Sequence, residues 1–243
     1  MATLVLKVSG VAFEDRPDLH GGQEDYARRL AASISELTAA GHNIALTIGG
    51  GSLARRSIDR ARRLGLEPVR ASYLGADAGL MNARIAIAAL RGGGIPCSAE
   101  PITAFDAAAE AMRSGLTPVL FGYWHGLTSD AVAALFASYI AADLVVKLSQ
   151  IDGVYPSDHE AKSGTNRHSC LPHRELAHLA LEFDSRTPGA SFVLDVVAAK
   201  SLADTKIPLL IDHWRHLNTL KSAIERAHSA SFEEESGTIV RSD

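Results

Sequence analysis

Cysteine, tryptophan and methionine are scarce in this chain: two, two and three among 243 residues. Cys97 and Cys170 stand far apart and form no CxxC or other metal-ligand spacing. This excludes a disulfide framework and a thiolate metal site. With no secretory signal at the start, the expectation is two reduced thiols in a cytoplasmic protein. The ten histidines show no HxxxH or HExxH pattern, so no histidine metal site is expected. His213 and His216, flanking Trp214 and Arg215, read as a surface turn. Basic charge is not in excess either. The formal net charge is −4, which gives no field for a polyanion, and nucleic acid is not an expected partner. Long apolar runs are also missing. The longest, residues 131–142, falls well short of the roughly 20 residues that cross a bilayer, so it reads as a buried helix and no membrane is expected. The opening MATLVLKVSG is too short and too soon charged for a signal peptide and reads as a first strand.

What remains is an ordinary globular composition, 47% hydrophobic and 21% charged, on a chain long enough to bury a core without staples. Short β-type runs alternate with helical patterns. Strands are predicted at 4–8, 43–48, 95–98, 117–121, 144–149, 208–211 and 238–240. Helices are predicted at 23–40, 52–64, from Gly75 or Asp77 to 91, and at 104–113, 129–142, 173–181, 192–202 and 217–228. Gly41 and Gly65 read as helix-ending caps. Residues 155–171 read as a long loop. Strands alternating with helices imply one α/β domain over 1–243, a three-layer αβα sandwich with a mostly parallel central sheet. Ligands in such folds sit at the carboxyl ends of the strands. That directs attention to Ser9-Gly10, Gly49-Gly50-Gly51, residues 122–130 and residues 149–153.

Several residues at those ends are candidates for chemistry. The Gly49-Gly50-Gly51-Ser52 turn lies between a strand and a helix. It is either a tight turn or an anion seat, where glycines admit close backbone approach and the helix start offers free N–H groups. Lys7, among apolar neighbours near the end of the first strand, faces either a phosphate or a carboxylate. Arg55, Arg56, Arg60, Arg62 and Arg63 form either a solvated helix face or a source of phosphate contacts. Thr128-Ser129-Asp130 suits a helix N-cap. The preceding Gly122-Tyr123-Trp124-His125-Gly126 is unusual for a mere connection and suggests a ligand surface. Asp195 sits in an apolar stretch, where an acid needs a partner, a metal or a capping role. Asp152-Gly153 reads as a turn.

In order and spacing, KVSG at 7–10, IGGGSLARR at 48–56, LTSDAVAAL at 127–135, ADLVVKLSQIDGVY at 142–155, VLDVVAAK at 193–200 and SGTIV at 236–240 resemble the amino-acid-kinase superfamily. Within it they are most similar to UMP kinases of the archaeal type. The resemblance implies the amino-acid-kinase fold and transfer of the γ-phosphoryl group of ATP, with Mg²⁺ carried on its phosphates, to a small anionic acceptor such as UMP or another phosphorylated or carboxylated metabolite. It implies catalytic roles for Lys7, Asp130 and Asp195, the two carboxylates organising Lys7 and the Mg²⁺-bound phosphates, with no direct metal ligand implied except Asp130 as a candidate. Gly10, Gly50, Lys147, Ser149, Asp152, Gly153 and Tyr155 would line the nucleotide site. Gly51, Arg55, Asp77, Trp124, His125, Thr128 and Ser129 would face the acceptor. A homo-oligomer, dimer or hexamer, is implied, with helices 23–40 and 76–91 as candidate contacts. The chain departs from the family in its acceptor half. Bulky Tyr123-Trp124-His125 fronts the Thr-Ser-Asp segment, and Ala71 or Ser72 stands where UMP kinases place a ribose-binding acid about ten residues before Asn82. Residues 64–82 are also similar to subunits of the molybdenum storage protein. That leaves an alternative, a nucleotide-binding storage or regulatory protein without kinase turnover, and beside it a kinase of the same fold with another small-molecule acceptor.

Overall fold

The computed structural model describes residues 1–14, 22–123, 125–156, 163–183, 193–227 and 237–242. The first strand, β1 (Thr3–Val8), is followed by a 3-10 turn at Gly10–Phe13 and by α1 (Gly22–Ala39). Then come β2 (Asn43–Ile48), α2 (Gly51–Arg63), α3 (Pro68–Gly92), α4 (Phe105–Arg113), β3 (Val119–Leu120), α5 (Ser129–Tyr139) and β4 (Leu144–Ser149). The remaining elements are β5 (Cys170–Pro172), α6 (His173–Phe183), α7 (Val196–Thr205), β6 (Leu209–His213), a 3-10 turn at Leu217–Thr219, α8 (Leu220–Ala227) and β7 (Thr238–Arg241).

The seven strands form one sheet in the order β3-β2-β1-β4-β6-β7-β5, and every pair is parallel except β6 with β7. Strands buried on both faces need apolar side chains on both, and the two sets separate cleanly. Leu4, Leu6 and Val8 point with Leu46, Val146 and Leu210 into a core shared with α1, α3 and α8. Val5, Ala45, Val145 and Ile211 point into a second core shared with α4, α5, α6 and α7. The architecture is the expected αβα sandwich. The chain leaves β1 toward β2 and β3, then returns to the other side of β1 with β4, so the topological switch lies between β1 and β4.

Several predicted boundaries are corrected. The third helix begins at Pro68, not at Gly75 or Asp77, because proline pre-sets the first helical position. Gly75 and Gly79 stay inside it, and at Gly75 a side chain would crowd its neighbours. A Cβ on Gly75 would come within 2.8 Å of Ile58 Cδ1, and one on Gly50 within 2.8 Å of the Gly75 carbonyl oxygen. The strand expected at 95–98 is only a bridge from Cys97 to Thr117, and β3 is shorter than 117–121. The helix expected from 129 to 142 ends at Tyr139, with Ala141 in the left-handed region at φ 49°. The helix placed at 192–202 starts at Val196, because Asp195 caps it; Phe192 lies outside the described residues. The expected long loop 155–171 ends in β5, and the helix expected from Leu217 opens as a 3-10 turn.

The packing of α5 on the sheet predicts a stability effect away from any site. Phe136 is fully buried, with its ring 5.4 Å from that of Phe105. Phe136→Ala should cost about 3–5 kcal/mol and lower the urea midpoint without changing the slope. A loss below about 1 kcal/mol would contradict this placement of α5.

Candidate active site

Lys7 and Lys147 occupy matching positions on adjacent parallel strands, so their side chains leave the same face of the sheet at the switch point. Both are buried, with 8% and 5% of their surface exposed. Two ammonium groups in such a place repel one another and need an anion. Asp130, in the first turn of α5, supplies it. Its Oδ1 lies 3.0 Å from Lys7 Nζ, and its Oδ2 accepts a 2.6 Å hydrogen bond from Lys147 Nζ. Burial pushes the Asp130 carboxyl upward, but Lys147 and then Lys7 outweigh it and hold the group at about 2. Burial moves Lys147 the other way, down to about 8. Asp130 opposes that shift, and the Lys7 charge adds to it.

The N-terminus of α5 is fixed by Thr128. Its hydroxyl accepts from the Asp130 and Ala131 N–H groups, each at 3.1 Å, so Thr128 is the N-cap. The same hydroxyl donates to Asp195 Oδ2 at 2.5 Å. Asp195 in turn accepts from Ala198 N–H and caps α7. Asp195 thus joins the cluster one link away, through Thr128, instead of touching Lys7.

On the other side of β1 the backbones press together. A Cβ on Gly10 would lie 2.2 Å from the Gly49 carbonyl oxygen and 2.3 Å from Gly51 N, so only glycine fits. Gly51 itself has φ +68°. Buried Asn82, on α3, donates from Nδ2 to the Gly49 carbonyl at 2.9 Å and pins the turn. Ser129 Oγ would be 3.1 Å from a Cβ on Gly49, which places α5 against the same turn. Glu14 caps the 3-10 turn and reaches the start of α2. Its carboxylate accepts from the Ser52 N–H, and from Ser52 Oγ at 2.8 Å. Arg55 Nη2 lies 3.5 Å from the same Ser52 oxygen.

Beyond this turn, His125 Nδ1 is 2.9 Å from Ser72 Oγ on α3, and the Tyr73 and Tyr123 rings lie 5.4 Å apart. Trp124 lies outside the described residues. Asp77 is exposed on α3.

At the ends of β4 and β6 a second set assembles. Asp152 accepts from Tyr155 Oη at 2.7 Å and from Arg167 Nη1 at 2.6 Å. Burial raises the Asp152 carboxyl, but the Tyr155 and Arg167 hydrogen bonds bring it below its ordinary value. Gly153 has no room for a side chain, since a Cβ would sit 2.5 Å from both Arg167 Cδ and Thr238 Oγ1. Ser149 ends β4, and its carbonyl accepts from Trp214 N–H.

The structure therefore brings Lys7, Asp130 and Lys147 into one cluster, with Thr128 and Asp195 attached. Gly10, Gly50, Gly51, Ser129 and Arg55 surround a neighbouring turn. Ser149, Asp152, Gly153 and Tyr155 flank the strand ends beyond β4. The pairing of Lys147 with Lys7, the pinning role of Asn82 and the reach of Glu14 were not read from the sequence. The first had a signal: Leu-Val-Leu-Lys-Val-Ser at 4–9 and Leu-Val-Val-Lys-Leu-Ser at 144–149 place lysine at the same point of two similar strands. Among the described residues, no group of three His, Cys, Asp or Glu side chains is arranged to hold a metal ion.

Comparison with known proteins agrees with this geometry. Residues 2–211 match the model of the amino acid kinase family. The chain is 31% identical over 240 residues, 99% of its length and 96% of the relative's, to a uridylate kinase of Methanocorpusculum labreanum. It is 38% identical over 184 residues, 76% of its length and 73% of the relative's, to one of Halorubrum lacusprofundi. The crystal structure of a uridylate kinase from Archaeoglobus fulgidus superposes with a TM-score of 0.75 at 26% identity, covering 99% of this chain and all of that one. With its sheet order, its glycine turns and these relatives in agreement, the chain belongs to the amino acid kinase family.

Proposed function

We propose that this protein is a UMP-kinase-like phosphotransferase that moves the γ-phosphoryl group of ATP to a small anionic acceptor, UMP first among candidates. One observation carries the reading. Two buried lysines share one carboxylate, with Asp195 linked through Thr128, at the topological switch point, between a nucleotide side at β4–β6 and a glycine turn at β2–α2. In the reaction an acceptor oxygen forms a bond to the γ-phosphorus, the bond to the β–γ bridging oxygen breaks, and ADP leaves with that electron pair. The protein's part is positioning and charge stabilisation. Lys7 and Lys147 offer ammonium donors to the migrating group, and Asp130 keeps both aimed. Ser149, Asp152, Gly153 and Tyr155 lie where a nucleotide would rest. Gly50, Gly51 and the start of α2, with Arg55, lie where an acceptor phosphate would rest.

Mg²⁺ binds one or two carboxylates and otherwise the substrate's phosphates. Asp130, whose Oδ1 receives no well-directed hydrogen bond, and Asp195 are the carboxylates that would hold it. When bound, it would neutralise charge on the phosphate oxygens. The storage alternative gains no support from the relatives, which carry the names of kinases. Exposed apolar side chains at Leu64, Leu66, Val69, Leu74 and Met81, on α3 and the turn before it, support assembly of copies through this region.

A coupled assay of ADP release across nucleoside monophosphates and small acids tests the reading. Turnover with UMP or a related acceptor is expected, and tight ATP binding without turnover on any acceptor would overturn it. Asp130→Asn should leave two buried cations without an anion, cost about 3–5 kcal/mol of stability and nearly abolish turnover. ATP should restore part of the melting temperature by supplying phosphate oxygens in place of the carboxylate. The wild type carries a matching pH signature. Because the folded Asp130 carboxyl is held below its unfolded value, its contribution to stability is full above about pH 4 and disappears as pH falls toward about 2. Acid melting curves of Asp130→Asn should lack that component. Lys147 titrates near 8, so ATP affinity should weaken as pH rises past that value, and Lys147→Gln should remove the dependence. On the acceptor side, His125→Ala should raise acceptor KM by roughly fivefold, the worth of one neutral hydrogen bond, with a smaller change in kcat. An unchanged KM would remove His125 from the acceptor's surroundings.

A further inference from the structure

The acceptor's phosphate seat proposed above is already occupied by part of the chain. Glu14 lies at the end of the 3-10 turn that follows β1. Because Gly10 is pressed against Gly49 and Gly51, this turn runs directly over the start of α2. From there the Glu14 carboxylate takes both donors of Ser52, the N–H and the hydroxyl. It lies so close to Gly51 that a Cβ there would be 2.5 Å from Glu14 Oε1. Ser52 Oγ is also the oxygen nearest Arg55 Nη2. An anion arriving at this helix start therefore meets another anion on the groups it needs.

We propose that Glu14 is a specificity-determining residue. It fills the acceptor seat with its own carboxylate and so restricts acceptors to phosphomonoesters. The inference rests on the reading that the acceptor phosphate docks at Gly50–Ser52. A tethered group competes at an effective concentration in the millimolar range. A free carboxylate brings one charge and two oxygens, and so gains nothing over the group it must displace. A phosphomonoester brings nearly two charges and three strong acceptor oxygens, enough to take the helix start and the Arg55 guanidinium together. The seat thus discriminates by charge before the rest of the acceptor is read. Among the acceptors left open by the fold, it selects the phosphorylated class over the carboxylated one.

The test compares wild type with Glu14→Gln, which keeps the side chain's length and one oxygen but removes the charge, and with Glu14→Asp, which keeps the charge but shortens the reach. UMP kinetics with ATP and Mg²⁺ should show KM lowered about tenfold in Glu14→Gln, with kcat changed far less, and a smaller fall in Glu14→Asp. Succinate, a carboxylate probe, should compete with UMP in Glu14→Gln and not in wild type. Inorganic phosphate should raise the melting temperature of Glu14→Gln at about tenfold lower concentration than that of wild type. This readout needs no turnover. An unchanged or raised UMP KM in Glu14→Gln, with phosphate acting equally on both proteins, would reduce Glu14 to a simple helix cap and overturn the proposal while leaving the kinase reading intact. If UMP is not turned over by any variant, the acceptor assignment fails, and the phosphate melting comparison still decides the role of Glu14. Should Glu14→Gln not fold, Glu14→Asp carries the same two comparisons.

Discussion

The carboxylate of Asp130 is the point on which the centre of this molecule depends. Lys7 and Lys147 arrive at one face of the sheet because β1 and β4 are adjacent, parallel and in matching register. No apolar environment tolerates two ammonium groups side by side, so the strand ends can close only if an anion lies between them. Asp130 reaches that place because Thr128 caps α5 and orients its first turn. Asp195 links the same cap to the start of α7. One ion cluster thus fixes four chain segments relative to one another. Lys7 and Lys147 are met by Asp130 directly and by Asp195 through Thr128.

The two halves around this centre are built by different means. On the β4–β6 side, side chains do the work: Asp152 gathers Tyr155 and Arg167, and Thr238 Oγ1 accepts from the Val154 N–H while donating to the His168 carbonyl. On the β2 side, backbone does the work. Gly10, Gly50 and Gly51 let two turns and a helix approach within distances that a side chain would forbid, and Asn82 holds the result by a hydrogen bond to the Gly49 carbonyl. A backbone-built seat presents N–H groups of fixed direction. Three side chains, Ser52, Arg55 and Glu14, meet at its start.

The sequence was legible where local chemistry decides structure. Buried strands such as residues 144–149 are continuous apolar runs interrupted by one lysine, and the glycine turn after β2 marks a strand-to-helix junction whatever surrounds it. Boundaries set by long-range contact were less so. Gly75 resembles a helix opening, yet it lies mid-helix because Ile58 and Gly50 press on it. Asp195, set in an apolar stretch, left a partner, a metal or a capping role open, and it takes two of them, as a cap that also accepts from Thr128. Glu14 gave no local signal, since its role exists only once the Gly10 contact brings the 3-10 turn over α2. The lysine pair did leave a trace, in the similar patterns of its two strands. That trace gains meaning only when those strands are known to be neighbours.

The position of β1 explains how the acceptor side can depart from the family pattern while the centre stays coherent. The lysine cluster draws on β1, β4 and α5, and the Ser72–His125 contact draws on α3 and the segment leading out of β3. A change at Tyr123 or His125 would touch Tyr73 and Ser72 on α3, whereas Asp130 is oriented by Thr128. A change in Thr128 would act differently. It would release the first turn of α5 and the Asp195 link together, and with them the anion that lets two buried cations coexist. The charge centre thus depends on Thr128, while the Ser72–His125 contact is made by other groups.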